Sequence, residues 1–93
     1  MVYESDIEQA LVTGIESMGG QCIKHGQDGW PDRIVVLPGG QTIWVELKRP
    51  DGRVAPLQQW RSAKLRKLGH RVETPYSKED VESLLQELLS CAI

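Results

Sequence analysis

Two runs of alternating residues, DRIVVL (32–37) and QTIWVELK (41–48), flank Pro38-Gly39-Gly40, and this pattern limits the possible folds more than any other feature of the chain. Side chains two apart on a strand share a face, and a short Gly-rich link between two β-rich runs reads as an antiparallel hairpin. In the second run Val45 and Leu47 alternate with Glu46 and Lys48, so the strand ends with a carboxylate and an amine on one face. Asp32 opens the first run, and the start of one hairpin strand lies beside the end of the other. Loop length decides whether Asp32 and Glu46 share a face. A two-residue Gly39-Gly40 loop sets Asp32 opposite Leu47, whereas a three-residue Pro38–Gly40 loop, or a bulge, sets it opposite Glu46. The odd-length loop or bulge is the expectation.

Other signals extend the hairpin into one domain spanning 1–93. Ile7, Ala10, Leu11, Ile15 and Met18 recur at helical steps until Gly19-Gly20, with Ser5 or a nearby acid as cap. Gly14 weakens that helix by about 1 kcal/mol relative to Ala unless a close neighbour needs its small size. QCIKH is a short strand and GQDGWP a loop; RPDGRVAP is a second loop. A helix runs from Pro56 through Leu57, Trp60, Ala63, Leu65 and Leu68 to Gly69. HRVET is a last strand, and SKEDVESLLQELL opens with a capping-box pattern, Ser77 to Asp80, before an amphipathic helix. The order αβββαβα predicts an α/β (α+β) fold with a central mixed four-stranded sheet flanked by helices; the strand after the second helix arrives by a crossover and runs parallel to a neighbour.

The net charge is −2, yet its distribution is uneven: eight Lys or Arg fall between Lys48 and Arg71 against the single acid Asp51. Such segregation can steer a polyanion to one face. Charge alone equally describes a solvated basic helix. No apolar run nears the roughly 20 residues of a membrane span, and the first residues lack a signal-peptide pattern, which predicts a cytoplasmic protein with no membrane contact. Cys22 and Cys91 are far apart and read as packing residues. His25 and His70 read as exposed or turn residues. Trp60 reads as a core or interface residue at helical spacing, and Trp30 is the tryptophan to watch for base stacking.

Paired carboxylates on one face repel unless a cation lies between them, and hard oxygen ligands suit Mg²⁺ or Mn²⁺. Lys48 could then orient an attacking water or pair with a phosphate. One at a time, Asp32 as a loop cap and Glu46–Lys48 as a surface ion pair are the ordinary alternatives. Together at adjoining hairpin ends they favour a site.

P-D at 31 and 32, thirteen residues, then E-L-K at 46 to 48 resembles the P-D…(D/E)-x-K signature of restriction-endonuclease-like nucleases. More specifically, the first helix with Glu4 and Glu8, then GWPDRIVVLPGG, WVELKRP, and APLQQW before a helix ending LG resemble the VRR-NUC (virus-type replication-repair nuclease) family over nearly the whole chain, in its stand-alone phage and bacterial form. The resemblance implies a restriction-endonuclease-like core with Asp32 and Glu46 as metal-binding carboxylates, the Leu47 carbonyl as an added ligand and Lys48 as the catalytic lysine. It also implies a first-helix glutamate completing the site, Glu8 being favoured over Glu4, and Gln58 near the site or the DNA backbone. Arg49, Arg53, Arg61 and Lys64 flank the site as expected phosphate contacts. The implied activity is a Mg²⁺- or Mn²⁺-dependent, structure-selective endonuclease on branched DNA, notably four-way (Holliday) junctions, acting as a homodimer through the last helix or exposed strand surfaces. The competing expectation is a catalytically silent DNA-binding or recruitment module on the same fold.

Overall fold

The computed structural model describes residues 5–47 and 54–91. Glu4, Lys48, Arg49 and Arg53 lie outside these residues.

Ser5 caps the first helix, α1 (Asp6–Ser17): its Oγ accepts the Glu8 backbone N–H at 3.1 Å, satisfying one of the donors every helix start leaves open. Leu11, Val12 and Ile15 form its buried stripe. The strands are β1 (Gln21–Lys24), β2 (Arg33–Val36), β3 (Thr42–Val45) and β4 (Arg71–Glu73), in sheet order β1-β2-β3-β4. The first three are antiparallel. β4 follows the crossover helix α2 (Pro56–Lys67) and lies parallel to β3, as the chain order predicts. α3 (Lys78–Cys91) completes the αβββαβα series.

At the start of α3, Ser77 Oγ accepts the Asp80 N–H at 3.1 Å, while the Asp80 carboxylate reaches back to the Tyr76 N–H at 2.9 Å. This resembles a capping box in which the acid takes the N–H one residue before the cap.

The pleat sorts the sheet into two layers. Val35, Ile43 and Val45 face α1 and α3 and form the core with Leu11, Val12, Ile15, Val81, Leu84 and Leu88. Each such buried aliphatic contributes about 1.5–3 kcal/mol. Where α1 and α3 meet, the Leu85 side chain occupies the place that a Cβ on Gly14 would take. The opposite face carries Trp44 and Val72 side by side and is covered only in part, by α2. On α2 the buried residues are Ser62 and Leu65, whereas Leu57, Trp60 and Leu68 are exposed. Of the two places expected for Trp60, a core or an interface, this excludes the core. The inward stripe runs through Gln58, Arg61, Ser62 and Leu65, because this helix looks onto the polar end of the sheet rather than onto aliphatic side chains.

The hairpin loop has the predicted length. Leu37 N–H donates to Gln41 O at 2.9 Å and Gly40 N–H to Leu37 O at 3.2 Å, enclosing Pro38, Gly39 and Gly40. Both glycines sit at φ +90°, a conformation that side chains disfavour. The resulting register pairs Val36 with Thr42 and Arg33 with Val45, so its continuation sets residue 32 opposite residue 46.

Candidate active site

The predicted strands are longer than the observed ones, and the shortening builds the site. β3 stops at Val45 because the next N–H on its β2 side leaves the ladder: Leu47 donates to the Asp32 carboxylate, Oδ2, at 2.8 Å, while the Glu46 N–H, on the other edge, continues the pairing with β4 through Glu73 O at 2.9 Å. The Asp32 side chain therefore takes the place of a backbone acceptor and lies against the Glu46–Leu47 peptide. His25 N–H holds the Asp32 carbonyl at 2.8 Å, fixing Asp32 from the β1 side as well. Before it, Pro31 is fully buried, and Gly29 adopts φ +80° where a Cβ would collide with the Leu57 side chain. Gln58 of α2 donates its Nε2 to Trp30 O at 3.2 Å, tying the helix start to the loop that delivers Asp32.

Glu46 is 1 % exposed. It lines a cleft of about 610 Å³ with Val54, Ser62, Arg66, Glu73 and Tyr76, whereas Asp32 lines a second cleft of about 320 Å³ with His25, Trp30, Ala55, Leu57 and Gln58. Both clefts open on the α2 side of the sheet, so the two carboxylates belong to one face although neither cleft is lined by both. The described part of the site offers hard oxygen donors, two carboxylates from adjoining hairpin ends. Among the described residues no three of His, Cys, Asp and Glu gather to hold a metal ion. Two carboxylates still suffice for an ion such as Mg²⁺, which keeps several waters. The donor set fits such a cation.

Glu8 is placed differently. Its carboxylate, 1 % exposed, lies 3.2 Å from Nε of Arg33, itself 3 % exposed, and Arg33 also donates to the Cys22 carbonyl at 3.2 Å. Arg33 shares its face with Val35 and Val45, the face covered by α1, so the Glu8–Arg33 pair sits across the sheet from the α2-side clefts. Sequence reading singled out Glu8 but missed Arg33. The signal was present: in DRIVVL the alternation puts Arg33 in line with Val35 and Leu37, and a cation at a core-facing position requires an acid.

Of the expected DNA contacts, Lys64 is exposed and Arg61 is half-buried, its Cζ 4.4 Å from the Trp30 ring centroid and 5.0 Å from that of Trp60. His25, expected as an exposed or turn residue, is half-buried in the loop after β1, wedged edge-on between Trp30 and Trp44 at 5.7 and 5.5 Å. His70 is exposed as expected. Cys22 is a core residue, and burial pushes its thiol up to about 11. No helix among the described residues is long and apolar enough to cross a membrane.

No family model matches the sequence. Over 88 residues the chain is 38% identical to "Putative nuclease p44" of Acyrthosiphon pisum secondary endosymbiont phage 1, covering 91% of this chain and 94% of that one. A solved structure described as a VRR_NUC domain superposes with a TM-score of 0.78 at 28% identity, over 86% of this chain and 90% of the other. The agreement runs nearly end to end in sequence and in fold, and it includes the αβββαβα order around a mixed sheet: the chain belongs to the VRR_NUC family of nuclease-type domains.

Proposed function

We propose that this protein is a Mg²⁺- or Mn²⁺-dependent endonuclease that hydrolyses DNA phosphodiester bonds at branched structures, four-way junctions among them. The observation that carries the reading is the 2.8 Å bond from Leu47 N–H to Asp32 Oδ2, which draws Asp32 to the peptide that follows Glu46. Asp32, Glu46 and the Leu47 carbonyl would hold the cation. When bound, the cation would lower the pKa of a coordinated water and offset charge on the phosphate. Lys48, next in the chain, is assigned to orient the attacking water or pair with the scissile phosphate. Arg49, Arg53, Gln58, Arg61 and Lys64 are assigned to the DNA backbone, where they position without reading sequence.

A domain this small has a short DNA-binding face, and a homodimer supplies two related sites for paired cuts in a symmetric junction. Exposed Ile23 and Val36 on the partly covered sheet face and Leu89 on α3 are apolar surface available for that contact. The protein is placed in the cytoplasm of a bacterial or phage-infected cell, where such DNA is made.

The test is a cleavage panel of labelled four-way junction, flap and duplex DNA with Mg²⁺, Mn²⁺ or EDTA. Cutting should require the cation, favour the branched substrates and disappear in Asp32→Ala, Glu46→Gln and Lys48→Ala. Binding without cutting in every cation would favour a silent recruitment module; cutting that persists in these variants would place the chemistry elsewhere.

A further inference from the structure

Three tryptophans make up most of the small aromatic set of this chain, and all three meet on the α2 side of the sheet. Trp44 and Trp30 lie with centroids 5.3 Å apart, tilted by 40°. The Arg61 guanidinium covers Trp30 at 4.4 Å and Trp60 at 5.0 Å. The result is a layered series, Trp44, Trp30, Arg61, Trp60, that runs from the sheet to solvent. Exposure rises along it: Trp44 and Trp30 are half-buried, and Trp60 is 56 % exposed. The inner end is held by His25 against both inner rings and by Gln58 on the Trp30 carbonyl.

An exposed indole alone would mean little. This one is backed by a cation that is itself seated on a second indole, so its ring is supported from behind while the rest of its surface remains open. Arg61 Nε is buried and has no hydrogen-bond partner among the described residues, consistent with a guanidinium held by ring faces rather than by carboxylates. The series also passes close to the chemistry, since Trp30, its second member, lines the same cleft as Asp32. Flat π-surface, positive charge and a neighbouring phosphate-hydrolysing site are together the chemistry that receives a nucleobase.

We propose that the outer face of Trp60, backed by Arg61 and Trp30, stacks an unpaired nucleobase of the DNA strand whose phosphate lies at Asp32. The proposal rests on the nuclease reading and narrows its substrate to DNA presenting an unstacked base beside the scissile phosphate. A base inside a continuous duplex has both faces covered by its neighbours and cannot use the platform.

The test is equilibrium binding in EDTA at fixed salt, using a blunt duplex, the same duplex with a single-stranded tail, and the tailed duplex with abasic sites in the tail. The wild-type protein should bind the tailed DNA about tenfold or more tighter than its abasic counterpart, the range expected for one or two stacked bases. Trp60→Ala should erase that difference, leave blunt-duplex binding and the salt dependence unchanged, and be rescued in large part by Trp60→Phe. The inference is overturned if Trp60→Ala keeps the preference for bases over abasic sites, or weakens all three DNAs alike. It is also overturned if Trp60→Ala only lowers the sedimenting mass, which would mark a self-association surface. A wild-type protein that cuts branched DNA but treats intact and abasic tails alike removes this inference and leaves the nuclease reading; one that binds none of the three DNAs and also cuts no branched DNA removes both.

Discussion

Replacing Arg33 with Met tests whether the buried Glu8–Arg33 pair is a structural element of the fold. Both groups are almost wholly out of water, at 1 % and 3 % exposure, and meet at 3.2 Å. Removing one member of such a pair typically costs about 3–5 kcal/mol, because the remaining charge stays buried after losing that counter-ion. Arg33→Met also deletes the donor to the Cys22 carbonyl, adding to the loss. A chain of this size has a total stability of roughly 5–14 kcal/mol. The single variant should therefore lose a large part of its stability, with a drop in Tm of very roughly 12–40 °C. The double variant Glu8→Leu/Arg33→Met removes both charges and should recover to within about 1–2 kcal/mol of the wild type or exceed it, as well-packed apolar replacements of buried ion pairs often do. Urea unfolding followed by circular dichroism measures all the variants and closes the cycle with Glu8→Leu. An Arg33→Met midpoint within about 1 kcal/mol of wild type, or a double variant no more stable than the weaker single, would refute the reasoning. The same double variant bears on the family-based assignment of Glu8. If it folds and still cuts with divalent cation, the Glu8 carboxylate serves the fold; if it folds and loses both cutting and cation affinity, Glu8 serves the metal.

Three further outcomes are expected. Gly14→Ala should force the Leu85 side chain to shift, which offsets the gain of about 1 kcal/mol in helix propensity and leaves the net change within about 1 kcal/mol of zero, whereas in a Leu85→Ala background the same substitution should stabilise by about 1 kcal/mol, as chemical denaturation of these variants will show. Shortening the Pro38–Gly40 loop by one residue should abolish cutting even where the protein still folds, since a one-residue slip in register turns Asp32 away from Glu46, and cleavage assays with circular dichroism separate the two effects. Cys22 should resist thiol reagents in the native state; because its thiol is raised by burial to about 11 from 9.0, the unfolded chain loses the proton first, so stability should fall as pH rises from about 9 towards 11, by about 2–3 kcal/mol in total, read from unfolding midpoints across that range.

Element order, the helix caps, the three-residue loop and the pairing of residues 32 and 46 were all legible in the sequence, because each follows from local rules: the two-residue period of strands, the geometry of short turns and the unsatisfied donors at helix starts. Asp32 and Glu46 were legible for the same reason. Arg33 was readable from alternation, yet its partner lies 25 residues away on α1, beyond any local pattern. The buried side of α2 was misread, because Leu57, Trp60 and Leu68 suggest an apolar stripe while the helix turns Gln58, Arg61 and Ser62 inward. Hydrophobic spacing reports which face a helix would bury against an aliphatic layer, and here the layer beneath includes tryptophans, a histidine and the carboxylate end of a hairpin.

By itself, then, the amino-acid order determined the hairpin, its register and the acids at its ends, since covalent neighbours and turn geometry place them before any long-range packing is made. Only the tertiary structure decided where the remaining charges and rings went: Glu8 into an ion pair under α1, and Arg61 between two indoles on the α2 side of the sheet. Those choices depend on which surfaces meet when helices close over a sheet, and burial then forces each charge to a partner that sequence distance does not reveal.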